Sequence, residues 1–258
     1  MSILIALILG IVQGLTEFLP VSSSGHLVLL QNIFGIENNV ILFDIILHLG
    51  TLLAVIIVYR KSLLELIKNP FGKKMRMVIL GTIPTLIIAL LFKDFFEGTF
   101  SGNLLFIGFL ATSGLLLLAD YSQKKYRSYK NMDYKYILTM GFFQGLAILP
   151  GLSRSGTTVS TSLALGVKKD EALEYSFLLS IPIILASLVY ELIFSSVSLV
   201  NIEILPIIVG FLASALFGII SIKFTIKLVK SNTYKYFSIY LIILSIFLIL
   251  NQFVFHLF

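Results

Sequence analysis

Cysteine is absent from the chain, which excludes disulfides and thiol chemistry while leaving the compartment open. Charge is scarce as well: 12% of the 258 residues are charged, against about a quarter in a soluble globular chain. That deficit excludes a water-exposed surface over most of the molecule. No charge-rich tail marks a solvated domain, so 1–258 reads as a single membrane domain. The stretch 1–19 lacks a basic leading region and is interrupted by Gln13 and Glu17, so it reads as mature structure rather than a signal peptide. A net charge of +6 would suggest nucleic acid in a soluble protein. Here the basic residues sit in short segments between apolar stretches, the pattern of topology signals, and no nucleic-acid partner is expected.

What the chain has instead is apolar length, at 58% of its residues. A spanning helix needs about 20 predominantly apolar residues. Six segments qualify, at 41–59, 76–92, 101–119, 173–193, 204–222 and 235–255. Two more regions, 1–35 and 134–167, are apolar but broken by Pro20-Val-Ser-Ser-Ser-Gly25 and Pro150-Gly-Leu-Ser-Arg-Ser-Gly156. Non-helical backbone at membrane depth is tolerated only where it is buried in protein or lines a cavity. Each broken region therefore reads as a re-entrant helical hairpin whose second arm, 27–34 or 157–166, is too short to cross. The 22 phenylalanines and 11 tyrosines need no cofactor, since lipid-facing packing and interface anchoring account for them.

With that count, 17 of the 19 basic residues fall on one face, in 60–76, 120–135, 168–169 and 223–235. The positive-inside rule makes that face cytoplasmic. The loops near Asp94 and Glu97, and near 195–203, then lie outside with both chain ends. Of the two remaining cations, Lys93 sits in an outer loop, whereas Arg154 sits in a serine- and glycine-rich turn at membrane depth.

The chain also repeats itself. At an offset of 131 residues, Gly10, Gln13, Gly14, Leu15, Ser22, Ser24 and Gly25 fall on Gly141, Gln144, Gly145, Leu146, Ser153, Ser155 and Gly156. Three spans separate the copies, so the two hairpins enter from opposite sides. The predicted fold is an all-α polytopic membrane protein built as an inverted-topology repeat, with two re-entrant hairpins and six full spans. The first repeat is 1–133 and the second 134–258.

Chemistry concentrates in the two turns. Gln13 and Glu17 are four apart and share one helix face, and a carboxylate at membrane depth is a functional candidate by default. Glu17 is suited to hold a divalent cation, to act as a base or to pair with Arg154. Ser22, Ser23, Ser24, Gly25 and His26 supply a serine–histidine pair that also serves to cap a helix beginning near Gly25. Ser153, Arg154, Ser155, Gly156 and Thr157 open the other short helix and suit a phosphate cradle: backbone N–H groups, hydroxyls and a guanidinium that meets phosphate oxygens bidentately. The copies have diverged. The first keeps the acid and histidine where the second has Ile148 and Thr157, and the second keeps the arginine where the first has Ser23. Such a split suits an active site better than a symmetric transport gate, although a lipid-phosphate transporter or flippase stays open as the alternative. Asp44, His48 and Thr51 line one face of the 41–59 span as a supporting polar set. Pro84 and Pro182 interrupt two other spans, with Ser180 placed to replace a lost backbone bond. Glu171 and Glu174 mark a helix start.

The stretches Gln13-Gly-Leu-Thr-Glu17-Phe-Leu-Pro-Val-Ser-Ser-Ser-Gly-His26 and Leu149-Pro-Gly-Leu-Ser-Arg154-Ser-Gly-Thr157, with Phe177-Leu-Leu-Ser-Ile-Pro182, resemble the signatures of the bacterial undecaprenyl-diphosphatase, or bacitracin-resistance, family. The resemblance covers essentially the whole chain. It implies hydrolysis of undecaprenyl diphosphate to the monophosphate, recycling the carrier lipid for peptidoglycan, in the bacterial cytoplasmic membrane with the site facing outward. It implies Glu17, Ser23, His26 and Arg154 as catalytic residues. Gln13, Ser22, Ser24, Gly25, Ser153, Ser155, Gly156 and Thr157 are expected on the substrate, and Glu17 with Gln13 on a divalent cation, Mg²⁺ or Ca²⁺. Gln13 stands where the family often has a second glutamate. The partners expected are a long-chain polyprenyl diphosphate and membrane lipids, and homodimerisation stays open.

Overall fold

Long runs of leucine, isoleucine and phenylalanine carry most of the helices in the computed structural model, which describes residues 2–36, 40–99, 102–125, 129–194, 203–231 and 234–256. Among these, the chain forms α1 (Ile3–Phe18), α2 (Ser23–Phe34), α3 (Val40–Val58), α4 (Arg60–Lys68), α5 (Lys73–Leu91), α6 (Lys93–Thr99), α7 (Leu105–Lys125), α8 (Tyr134–Leu146), α9 (Arg154–Ala164), α10 (Lys169–Phe194), α11 (Ile204–Ser231) and α12 (Lys235–Leu250), closed by a π-helical turn at Asn251–Phe255. Five of them are long and apolar enough to cross a membrane: Lys73–Leu91, Leu105–Lys124, Lys169–Tyr190, Ile204–Ser231 and Lys235–Phe255. A sixth is added if the bent pair Leu42–Val58 and Arg60–Lys68 is one span. The protein is an all-α polytopic membrane protein.

That bend departs from the sequence expectation of a plain loop after residue 59. The chain turns by 79° and continues as α4. Arg60, Lys61, Glu65 and Lys68 cannot follow α3 through apolar surroundings, so the helix turns aside, burying Leu66 and exposing its charges. α11 likewise runs on past the expected end at 222 to Ser231, carrying Lys223, Lys227 and Lys230 beyond the apolar stretch. The 195–202 loop, Arg127 and the side chains of Glu97 and Glu191 lie outside the described residues.

Both broken regions form a helix, a turn and a short helix. The second arms begin at Ser23 and Arg154, earlier than the hydrophobic pattern alone marked, because serines cap them. Ser22 Oγ accepts from the Gly25 N–H at 3.3 Å, and Ser153 Oγ accepts from the Gly156 N–H at 3.0 Å. These caps are the same residues 131 positions apart.

Helix association in lipid relies on close packing rather than on hydrophobic burial, so small residues mark the contacts. α1 meets α11 where a Cβ on Gly10 would lie 2.5 Å from the Gly210 carbonyl and one on Gly14 would lie 2.6 Å from that of Ser214. α8 meets α5 the same way, with a Cβ on Gly141 falling 1.9 Å from the Gly81 carbonyl. α7 and α12 are clasped by Ser113 and Ser238, whose hydroxyls lie 2.6 Å apart.

The turns leave helix-end carbonyls that must be satisfied inside the protein. α11 supplies two donors to the end of α1: Ser221 Oγ to the Leu15 carbonyl at 2.6 Å and Thr225 Oγ1 to that of Phe18 at 3.1 Å. Ser155 Oγ donates to the Leu19 carbonyl at 3.1 Å, tying one turn to the other. Thr112 of α7 holds the second turn: its hydroxyl accepts the Ser153 N–H at 2.9 Å and donates to the Gly151 carbonyl at 3.1 Å. Ser180 takes a different carbonyl from the one Pro182 releases, donating to Phe177 three residues back at 2.7 Å.

The basic segments gather at one end of the molecule. Lys74 pairs with Glu65 at 2.8 Å and Glu174 at 2.6 Å, Lys73 with Asp133 at 3.7 Å, and Lys230 with Asp170 at 2.9 Å. Glu171 accepts the Met132 N–H. α5 and α10 both begin at this end and finish together at the other, where Lys93 lies over the Tyr190 ring at 5.1 Å.

Candidate active site

The two turns meet in the interior. A Cβ on Gly156 would lie 3.2 Å from Pro20 Cβ, and one on Gly25 would lie 2.6 Å from the Phe109 ring and 3.0 Å from Gly151 Cα. Glycine at these positions allows the approach. Ser22 adopts φ +68°, in a region that non-glycine residues rarely occupy, and such strain concentrates at functional sites.

Glu17 is the hub. It is buried in the last turn of α1, where a carboxylate survives only with compensating donors. Arg154, the first residue of α9, donates Nη2 to its Oε1. Ser23 Oγ donates to its Oε2 at 2.6 Å, and Gln13 Nε2 to the same oxygen at 3.0 Å. His48 of α3 brings Nε2 to 3.8 Å from Oε2. Thus Gln13, Glu17, Ser23 and Arg154 converge as the sequence suggested, and the supporting His48 joins them.

Other expected residues are turned to the fold. Ser22 and Ser153 act as caps, and the Ser22–Ser24 and Ser153–Ser155 hydroxyl pairs each stand at 3.3 Å. His26 bonds neither Ser23 nor Glu17. Its Nδ1 sits 2.7 Å from the Ser22 carbonyl, which can only accept, so Nδ1 carries the proton. Its Nε2 then accepts the Tyr240 O–H at 2.7 Å. Tyr240 stacks on this ring and Phe109 meets its edge. Sequence reasoning missed Tyr240, one tyrosine among many at apolar helix faces, and also Thr112, Ser221 and Thr225, whose spacing carries no signal.

Among the described residues, Arg154 Nη1, Thr157 Oγ1 and Gln13 Oε1 are buried near the junction of the two turns without a partner, as are Ser160 Oγ and Ser162 Oγ further along α9. Buried polar groups are normally satisfied, so such atoms ask for an occupant. A guanidinium N–H and a hydroxyl are anion donors. The amide oxygen is a hard acceptor beside a single carboxylate, and no cluster of three or more His, Asp or Glu occurs among the described residues. That sparse donor set fits an ion that takes most of its oxygens from a phosphate ligand and water.

The family described as bacitracin resistance protein BacA matches residues 6–247. The chain is similar to an undecaprenyl-diphosphatase of Carboxydothermus hydrogenoformans, 45% identical over 251 residues that cover 96% of each chain. It is 41% identical over 257 residues to undecaprenyl-diphosphatase 3 of Bacillus cereus, covering 98% of each. An undecaprenyl-diphosphatase of Methanosphaera stadtmanae is 37% identical over 270 residues, covering 95% of this chain and 96% of the relative. A match over nearly the whole chain, with relatives of almost equal length, shows that the chain belongs to the bacitracin resistance protein BacA family.

Proposed function

We propose that this protein hydrolyses undecaprenyl diphosphate to undecaprenyl phosphate and inorganic phosphate, recycling the carrier lipid for peptidoglycan synthesis and conferring bacitracin resistance. The observation that carries the reading is the Glu17 hub, which joins Gln13 and Ser23 of the first turn to Arg154 of the second beside unpartnered anion donors.

In this reading Arg154 Nη1 and Thr157 Oγ1 receive the diphosphate, and backbone at the start of α9 supports it. Phosphoanhydride hydrolysis is mainly positioning and charge stabilisation. Ser23 Oγ, already on Glu17, attacks the terminal phosphorus. The Oγ–P bond forms, the bridging P–O bond breaks with undecaprenyl phosphate leaving, and Glu17 takes the hydroxyl proton. Glu17 passes that proton to the departing phosphate oxygen; water, deprotonated by the restored carboxylate, then attacks phosphorus, the Oγ–P bond breaks and Ser23 Oγ takes the proton back as phosphate leaves. His26 lies three residues after Ser23 and, held by Tyr240, orders the turn that presents the nucleophile. Glu17 and Gln13 would hold a Mg²⁺ or Ca²⁺ ion, which when bound offsets phosphate charge.

The finer topology follows the same proposal. The arms α1, α2, α8 and α9 contain 16, 12, 13 and 11 residues. At about 1.5 Å per residue each falls short of the about 30 Å hydrocarbon core, which supports two re-entrant hairpins beside six spans. Exchange of equivalent contacts, α1 on α11 and α8 on α5, supports inverted repeats at 1–133 and 134–258. The basic end is cytoplasmic and the site opens to the outer side.

Phosphate release from a long-chain prenyl diphosphate by the purified protein in detergent, with divalent cation added or chelated, tests this reading. Cation-dependent release that falls by orders of magnitude in Glu17→Gln and Arg154→Ala supports it. No release by folded wild-type protein refutes it.

A further inference from the structure

The two histidines near Glu17 are anchored alike and end differently. Each places Nδ1 at 2.7 Å from the carbonyl four residues back, Ser22 for His26 and Asp44 for His48, so each presents an Nε2 lone pair. His26 spends that lone pair on the Tyr240 hydroxyl. The His48 Nε2 stands 3.8 Å from Glu17 Oε2, beyond hydrogen-bond distance of an oxygen that accepts Ser23 Oγ and Gln13 Nε2.

We propose that His48 is a nitrogen ligand of the divalent ion at this site, completing with Glu17 and Gln13 a mixed nitrogen and oxygen donor set. Two donors each about 2.1 Å from one ion stand about 3 to 4 Å apart, and the His48–Glu17 separation falls in that window. Gln13 fits it once its amide turns by half a turn, which gives up the Nε2 bond to Glu17 and moves the carbonyl oxygen from its unpartnered position to 3.0 Å from Glu17 Oε2. Arg154 occupies the other carboxylate oxygen, so the ion would share Oε2 with Ser23, whose hydroxyl donates there at 2.6 Å.

The surroundings of His48 match those of a ligating imidazole, whose second nitrogen is normally fixed by a carbonyl or carboxylate. The Asp44 carbonyl fixes it here. Gln31 Nε2 holds the Asp44 carboxylate at 2.8 Å, and the Thr51 hydroxyl bonds the His48 carbonyl at 2.9 Å, keeping this helix turn in place. The His48 side chain is 31% exposed and that of Glu17 6%, so an ion arriving with its ligand approaches past the imidazole. A nitrogen donor favours Mn²⁺ over Ca²⁺, which takes oxygen ligands. The inference rests on the proposed assignment of Glu17 and Gln13 to the ion.

The test uses Mn²⁺ on the full chain in detergent, alone and with methylene diphosphonate, with pulsed electron paramagnetic resonance reading nitrogen coupled to the ion. Wild type and His26→Gln are expected to show the coupling. His48→Gln should still bind Mn²⁺, at least about tenfold more weakly, and lose the coupling, while Glu17→Gln loses binding. A wild type without nitrogen coupling, whether the ion binds through oxygen alone or not at all, overturns the proposal, as does coupling that persists in His48→Gln. Phosphate release from the same preparations separates the two readings. Release without the coupling sinks only the ligand assignment, and the coupling without release sinks only the phosphatase.

Discussion

Arg154→Lys asks whether one guanidinium serves two partners. In the structure Nη2 is committed to Glu17 while Nη1 is buried without a partner, and the planar fork lets both act at once. Lysine keeps the charge but concentrates it at one point, so it serves Glu17 or the diphosphate, not both. A hydrogen bond to a charged group contributes about 1.5–3 kcal/mol, and each 1.36 kcal/mol is tenfold, so the loss in kcat/KM is about 10- to 150-fold. Arg154→Ala removes both contacts and leaves Glu17 as a buried unpaired charge, costing about 3–5 kcal/mol of stability as well. Adding Glu17→Gln to Arg154→Ala should recover most of that stability and none of the activity. The assays are phosphate release in detergent micelles and thermal unfolding of the same preparations. Lysine activity within twofold of wild type, or no better than alanine, refutes the two-partner reasoning.

Ser23→Ala, which removes the hydroxyl 2.6 Å from Glu17, should lower kcat at least about 100-fold with KM little changed, measured as phosphate release. Tyr240→Phe leaves the His26 Nε2 without its donor, and a neutral hydrogen bond of about 1 kcal/mol predicts a fall in kcat of about fivefold. Gly141→Ala forces a methyl against the Gly81 carbonyl; overpacking of about 1–3 kcal/mol should lower the unfolding temperature in detergent, and an unchanged Tm would contradict the α5–α8 contact. Thr225→Val keeps the volume near that of threonine but strips the donor from the Phe18 carbonyl, and thermal unfolding should register a loss of about 1–3 kcal/mol.

The sequence made the gross architecture legible because membrane solvation leaves few options: apolar stretches must be helices, and polar interruptions must be buried. Gln13 and Glu17 could be paired from helical spacing, and the 131-residue offset exposed the equivalent capping serines. It did not separate capping from chemistry. Ser22, Ser153 and Ser155 were read as substrate residues, and in the structure their hydroxyls are engaged with backbone or with one another. Nor did it orient His26, since a place three residues after Ser23 says nothing about a helix start that turns the ring toward α12. Contacts across helices, such as Tyr240, Thr112 and Ser221, depend on relative rotation of the spans, which apolar faces all round do not encode. The bend after Tyr59 was hidden for a related reason: the charges of 60–68 mark an exposed segment whether it is loop or helix.

Glu17 and Arg154 come from opposite halves of the chain, and this ties assembly of the site to assembly of the fold. Each side chain alone would be a costly charge in an apolar interior, and each half supplies the other's counter-ion. The turn carbonyls make the same demand, since Leu19 is satisfied by Ser155 of the other half, and Leu15 and Phe18 by α11. Without these contacts the first turn holds a carboxylate lacking its arginine and three carbonyls lacking these hydroxyl donors, and the second turn a guanidinium lacking its carboxylate. Docking resolves all of these together, so the contacts that close the fold also create the hub. Among the described residues at the junction of the two turns, Arg154 Nη1 and Thr157 Oγ1 keep no partner after docking, and in the proposed reading these are the donors that would receive the diphosphate.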